Sequence, residues 1–262
     1  MTQSLPVPLD VKLMNLTAHV LLLAFVLLTL GWSGRWLAHH PVFAIRGLTV
    51  LGDISHTSAL TLRAHVGPQL QGTFLTVDLN AVRQAFETVP WVRRAVVQRE
   101  FPNRLRVVLQ EHQAVAYWGE EGESTLVNSY GEVFEANLGE IEQDVLPRLD
   151  GPAEQSAQVL AMYRALQPLF EGLDLPLEQL ALSSRGNWRA TLASGATLEL
   201  GSGDAATVSA RVRQFLGTVA QVAAHHGRHL SALEGADLRH VQGYALRLRG
   251  VSTVAAEPAR KN

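Results

Sequence analysis

The run WVRRAVVQREFPNRLRVVLQE, residues 91–111, decides how the rest of the chain is read. Val92 to Arg99 and Arg104 to Glu111 alternate apolar with charged or polar side chains, the period of a strand with one buried face. Phe101-Pro102-Asn103 supplies the turn between them. Just upstream the period changes. Leu79, Val82, Ala85, Phe86 and Val89 recur at helical spacing behind Asp78, a side chain suited to capping, and Pro90 stops the helix. A shorter helix starts near Ser58 and ends at Gly67-Pro68. Before it, Phe43 to Leu51 reads as a strand, with Phe43, Ile45, Leu48 and Val50 apolar and Gly47 and Gly52 as punctuation. The order strand, helix, helix, strand, strand, over about 70 residues, predicts a compact α+β module with helices on one sheet face.

Further upstream, VLLLAFVLLTL at residues 20–30 carries no charge. Extended from Leu13 to Trp32 it is about 20 residues long, enough helix to cross a hydrocarbon core. Only Asn15, Thr17 and His19 dilute it. Trp32, Arg35 and Trp36 stand where an aromatic belt and a snorkelling cation meet headgroups. A retained anchor over residues 13–36 is the expectation, with most of the mass on one side. A cleaved signal peptide stays open, although Lys12 is the one basic residue before the span, Asp10 offsets it, and Gly31-Trp32-Ser33 is a weak cleavage site. Lys12 on the short side against Arg35 and Arg46 on the long side leaves orientation open on charge alone.

Downstream, short strands are predicted at Ala114–Trp118, Ser124–Val127 and Glu132–Phe134, with turns at 119–123 and 129–131. Leu146–Leu149 leads through Asp150-Gly151-Pro152 to an amphipathic helix over Ala153–Phe170. Leu177–Ser183, Asn187–Leu192 and Ala196–Leu200 form a predicted meander. A second helix runs from Asp204 to about His226, and two last strands, Leu230–Leu238 and Tyr244–Leu248, precede a tail, residues 251–262, without apolar periodicity, which is expected to be disordered. The fold class is therefore α+β: one transmembrane helix, a βααββ module, and a mostly antiparallel β domain with two long helices.

The 262 residues leave room for two modest domains behind the anchor. A net charge of -2 argues against a nucleic-acid partner. The absence of cysteine excludes disulfides, cysteine zinc sites and thiol catalysis. His225, His226 and His229 cluster without a carboxylate at ligand spacing, and Gly227 ends the helix between them. Gly201-Ser202-Gly203-Asp204 lacks the Lys-Ser/Thr pair of a phosphate loop and reads as a helix cap. Glu120, Glu121 and Glu123 read as a solvated hairpin tip. No G-x-S-x-G elbow or H-E-x-x-H pair occurs, so neither an enzyme nor a cofactor, metal or small-molecule substrate is expected.

Several segments together resemble the FtsQ/DivIB family of bacterial cell-division proteins. These are Pro90-Trp91-Val92, Arg99 to Leu105, Glu111 with Ala114 to Trp118, Val127-Asn128-Ser129 with Gly131, Leu146-Pro147, Gly151-Pro152, Trp188, Leu200-Gly201 and Asp237-Leu238-Arg239 with Gly243. Asn128 stands where that family usually has aspartate. The resemblance implies a cytoplasmic tail at 1–12, a span at 13–36, a POTRA domain at 43–112 and a β domain at 113–250, facing the periplasm from the inner membrane at the septum. It implies a non-catalytic divisome scaffold, whose β domain holds FtsB and FtsL and whose POTRA domain and span engage other division proteins. An extended partner segment adding to the edge strand Tyr244–Leu248 suits that role. The resemblance puts the contact on His240, Gln242, Gly243 and Leu248, with Arg185 as a polar partner. Aromatic residues are common in the family at the positions of His240 and Leu248, so the aromatic anchor is expected to shift to Tyr244. A POTRA factor of outer-membrane insertion is the rival reading, and would need a lipid-facing strand series that the C-terminal half lacks.

Overall fold

A computed structural model describes residues 9–52, 54–137, 139, 146–240 and 243–251, so most of the expected N-terminal tail, 1–8, and of the expected disordered tail, 252–262, lies outside the described residues. The chain divides into two compact units, the first ending at Glu111 and the second starting at His112.

The first unit opens with α1, Leu9–Ala38, a 30-residue helix about 45 Å long at the standard helical rise. Its apolar side chains are exposed along its length, and none of its most hydropathic window is buried within the protein. Such a helix is stable only where lipid or another apolar phase covers it.

Behind it lie β1 (Gly47–Gly52), α2 (Ala59–Val66), α3 (Leu79–Glu87), β2 (Val92–Glu100) and β3 (Arg104–Glu111). β3 is central, parallel to β1 and antiparallel to β2. Its alternation is strict: Leu105, Val107 and Leu109 are buried, while Arg106, Val108 and Gln110 are exposed. Val82, Phe86, Leu62 and Val66 from the helices close over that buried face. Ser58 and Asp78 cap the two helices as expected, each accepting from main-chain N–H groups. The first strand is shorter than its apolar pattern suggests. Phe43 ends a 3₁₀ turn, Pro41–Phe43, and Ala44 makes an isolated bridge to Thr73, so the ladder starts only at Gly47.

Among the described residues the second unit holds one nine-stranded sheet in the order β12-β11-β10-β9-β8-β7-β4-β5-β6. The strands are β4 (Ala114–Trp118), β5 (Thr125–Asn128), β6 (Val133–Glu135), β7 (Arg148–Asp150), β8 (Leu177–Leu182), β9 (Asn187–Leu192), β10 (Thr197–Ser202), β11 (Leu233–Asp237) and β12 (Ala245–Leu248). Five pairings are antiparallel and three parallel. Two of the parallel pairs follow from the long helices. α4, Ser156–Glu171, links parallel β7 and β8, and α5, Ala205–His225, links parallel β10 and β11. Leu166, Phe170, Val212, Phe215 and Val219 on these helices pack with Trp188, Leu180, Leu192, Leu198 and Leu200 of the sheet. The opposite face carries Arg189, Glu199 and Arg247. Residues 230–232, expected to begin a strand, form a 3₁₀ turn instead.

The β5–β6 turn is closed by a buried amide. Asn128 Oδ1 accepts from the N–H groups of Tyr130 (2.9 Å) and Glu132 (3.0 Å), and Nδ2 donates to a Glu132 carboxylate oxygen (2.6 Å) and to His112 Nδ1 (2.9 Å). Gly131 completes the turn at φ +85°, and a Cβ there would lie 2.5 Å from Ala157 Cα.

Candidate partner-binding surface

β12 ends the sheet on one side, and its hydrogen-bonding direction follows from two bonds. The Leu238 N–H donates to the Glu199 carbonyl on β10, and the Arg249 N–H donates to the Ala232 carbonyl. Alternation then turns the main-chain groups of Gly235 and Asp237 toward β12, where they face Arg247 and Ala245. Leu246 and Leu248 are left with their N–H and C=O groups pointing away from the sheet. No described strand pairs with that side.

The topology brings the polar residues of interest to one end of the sheet. β8 and β9 turn there through Ser183–Gly186; β10 and β11, being parallel, both finish there, and β12 starts there. Arg185 in the turn shares a groove with Arg189, Arg239, Asp150 and Glu199. Arg189 is paired with Glu199 at 2.7 Å and Arg239 with Asp237 at 2.9 Å, whereas Arg185 has no ion-pair partner among the described residues. β12 and β9 are three strand spacings apart, about 14 Å, so Arg185 stands beside the edge and not on it.

His240, Gly243 and Tyr244 line a second groove at this end, against Thr207, Arg211 and Phe215 of α5. His240 is exposed and Gly243 half-buried. Gln242 lies outside the described residues. Two of the sequence-predicted residues also make contacts within the domain that the sequence does not show. Tyr244 precedes β12 and does not start it: its ring meets Phe215 edge-on at 5.0 Å, and its hydroxyl lies 2.9 Å from Thr218 Oγ1. Leu248, at the far end of β12, is 5% exposed and packs in the core opposite Leu233. Its main chain, not its side chain, faces outward, because alternate side chains of an edge strand still belong to the buried face.

Sequence reasoning did not single out Leu246, and it marked Asp237 and Arg239 only as part of the family resemblance, without their ion pair. Nothing in the local sequence marks Leu246, since its role depends on which strand is last. Hydrogen bonds from the Arg239 guanidinium hold the Asp237 carboxyl down to about 2. Its folded value lies below the unfolded one, so the stabilisation from this exposed pair is complete above about pH 4 and lost as pH falls through 2. A carbon-13 titration of Asp237 is expected to show that low midpoint, and Arg239→Ala to return it to the ordinary carboxylate range.

A long apolar N-terminal helix, a βααββ module and a larger sheet whose last strand is paired on one side only among the described residues are the parts of an anchored binding protein. Comparison with known proteins narrows this. Residues 43–112 match the family model described as POTRA domain, FtsQ-type, and residues 116–239 match that of cell division protein FtsQ/DivIB, C-terminal. The chain is 42% identical to cell division protein FtsQ of Thiomonas arsenitoxydans over 247 residues, covering 94% of this chain and 90% of that one. It is 38% identical to cell division protein FtsQ of Burkholderia pseudomallei, covering 92% and 94%, and 33% identical to that of Bordetella pertussis, covering 96% and 98%. The chain belongs to the FtsQ/DivIB family of cell-division proteins, whose members are non-catalytic. The C-terminal match stops at Arg239, before β12.

Proposed function

We propose that the chain is a divisome scaffold of the inner membrane that holds FtsB and FtsL through its β domain. On this reading residues 1–12 lie in the cytoplasm, α1 crosses the membrane once, and the two units stand in the periplasm at the septum. There they link early and late division proteins and help control septal peptidoglycan synthesis. The POTRA module and the span contact other division proteins. The observation that carries the proposal is the outer side of β12, with which no described strand pairs and toward which Leu246 and Leu248 turn their main-chain groups. An extended FtsB segment adds there as a further strand, and main-chain bonds supply affinity independent of its side chains. Arg185, His240, Gly243 and Tyr244, at the end where β12 starts, select the partner; an acidic side chain suits Arg185. Gln242 is assigned to the same contact.

Hydrogen exchange tests the assignment. Adding the periplasmic part of FtsB is expected to slow the amides of Leu246 and Leu248 by about tenfold or more, as new main-chain bonds form. Protection confined to β6, the other end of the sheet, would reject the β12 edge. Depletion of the chain in its host is expected to give filaments with blocked septa. Normal division after depletion would reject the scaffold itself.

A further inference from the structure

Three segments distant in sequence are tied together at the end of the POTRA module that adjoins α1. The Thr73 hydroxyl donates to the Ala38 carbonyl, in the last turn of α1, at 2.6 Å. The Phe74 N–H donates to the Phe43 carbonyl at 2.7 Å, and the Arg46 N–H to the Asn103 carbonyl at 2.9 Å. The Arg99 guanidinium donates to the carbonyls of Phe74 (2.7 Å) and Val77 (2.8 Å). The tip of the β2–β3 hairpin is thereby held close to the point where the chain leaves α1.

This end is apolar on its outside. Phe101, at the hairpin tip, is 83% exposed although its ring lies 6.4 Å from that of Phe74. Leu75 is 48% and Val42 63% exposed. Among the described residues Arg46 and Arg104 form no ion pair, while Glu100, the carboxylate next to the tip, is held by Arg106 at 3.0 Å. Exposed apolar side chains interleaved with unpaired cations match the chemistry of an anionic lipid surface.

Distance supports that occupant. If Leu13 lies at one hydrocarbon boundary, Trp32 reaches the other, and Ala38 stands about 9 Å beyond it, less if the helix tilts. The headgroup layer is about 5–8 Å deep, so Ala38 and the Thr73 segment bonded to it stand at its outer margin with an upright helix and within it with a tilted one, and the hairpin tip tied to Arg46 lies beside them.

We propose that Phe101, Leu75 and Val42, with Arg46 and Arg104, form a second membrane contact, in which the β2–β3 tip lies in the headgroup layer of the leaflet where α1 emerges. The proposal rests on the reading of α1 as a retained span. It makes the POTRA module a body seated on the bilayer and not one swinging from a tether.

The absence of native cysteine makes single-site labelling clean. Full-length Phe101→Cys, Val96→Cys and Leu23→Cys are each labelled with an environment-sensitive fluorophore. They are then reconstituted, without other proteins, in vesicles of phosphatidylethanolamine and phosphatidylglycerol carrying nitroxide lipids at shallow or deep positions. Val96 is exposed too, but lies five residues up β2, about 17 Å from the tip. Shallow nitroxide is expected to quench the label at position 101 at least about twofold more than that at 96, and Leu75→Asp to abolish the difference. Deep nitroxide is expected to quench the label at 23. Quenching at 23 with position 101 behaving like 96 overturns the inference and leaves the span intact. No quenching at 23 overturns the span reading, and the inference with it.

Discussion

Leu246→Pro is expected to lower recovery of FtsB with the chain by about tenfold or more while the β domain stays folded. The argument is one of direction. Leu246 faces Ala236 across the β11–β12 ladder, but its own N–H and C=O point to the free side. Proline there removes no bond within the sheet, removes one donor from any added strand, and puts its ring where that strand must lie. Ala245, the residue before it, is already extended, as a residue preceding proline must be. Leu246 is half-buried against the core, so some stability is lost, about 1 kcal/mol, which lowers the melting midpoint by a few degrees in a domain of this size. Leu246→Ala is the control: it gives up similar packing, keeps the N–H, and is expected to retain FtsB. Co-purification and a thermal melt of both variants decide the matter. Full recovery of FtsB with the proline variant would rule out strand addition at β12.

The parts of this architecture that sequence alone reveals are those in which local period and burial coincide. β3 was readable because every second residue from Leu105 to Leu109 is buried, and α3 because Val82, Ala85 and Phe86 fall on one stripe behind the Asp78 cap. Phe43 misled, because a strand pattern cannot distinguish an apolar residue in a ladder from one in a 3₁₀ turn that docks on Phe74. Leu230 misled in the same way at the start of β11. The parallel pairings of β7 with β4 and β8 are long-range, and three-residue β7 has no signature that fixes its neighbours. The site was legible in outline only. That the last strand ends the sheet is a matter of long-range pairing, and the outward direction of Leu246 depends on which residues of β12 bond β11, fixed by the Arg249 N–H to the Ala232 carbonyl. The roles of Tyr244 and Leu248 required knowing where α5 and the core lie.

The same contrast governs the second large effect, Asn128→Asp, which installs the residue the family resemblance leads one to expect. In this chain the exchange is expected to cost about 3 kcal/mol at neutral pH, measured by denaturant unfolding. Asn128 is fully buried, and its Nδ2 lies 2.6 Å from a Glu132 carboxylate oxygen and 2.9 Å from His112 Nδ1. The substitution turns a donor into an acceptor facing a carboxylate, while leaving intact the oxygen that receives the Tyr130 and Glu132 N–H groups. Two carboxylates so close hold one proton between them, so the folded variant binds more protons than its unfolded chain. The sign follows: the deficit relative to the parent is greatest near neutrality, shrinks as pH falls, and closes near the unfolded carboxyl value of about 4. Asn128→Asp combined with Glu132→Gln restores a donor opposite the new carboxylate and is expected to recover most of the loss at pH 7. A pH-independent deficit would instead assign the cost to turn geometry. The turn has little room to relax, since Gly131 sits in the left-handed region with Ala157 against it. An aspartate therefore suits this turn only in a chain whose neighbouring residue does not bring a second negative charge to it.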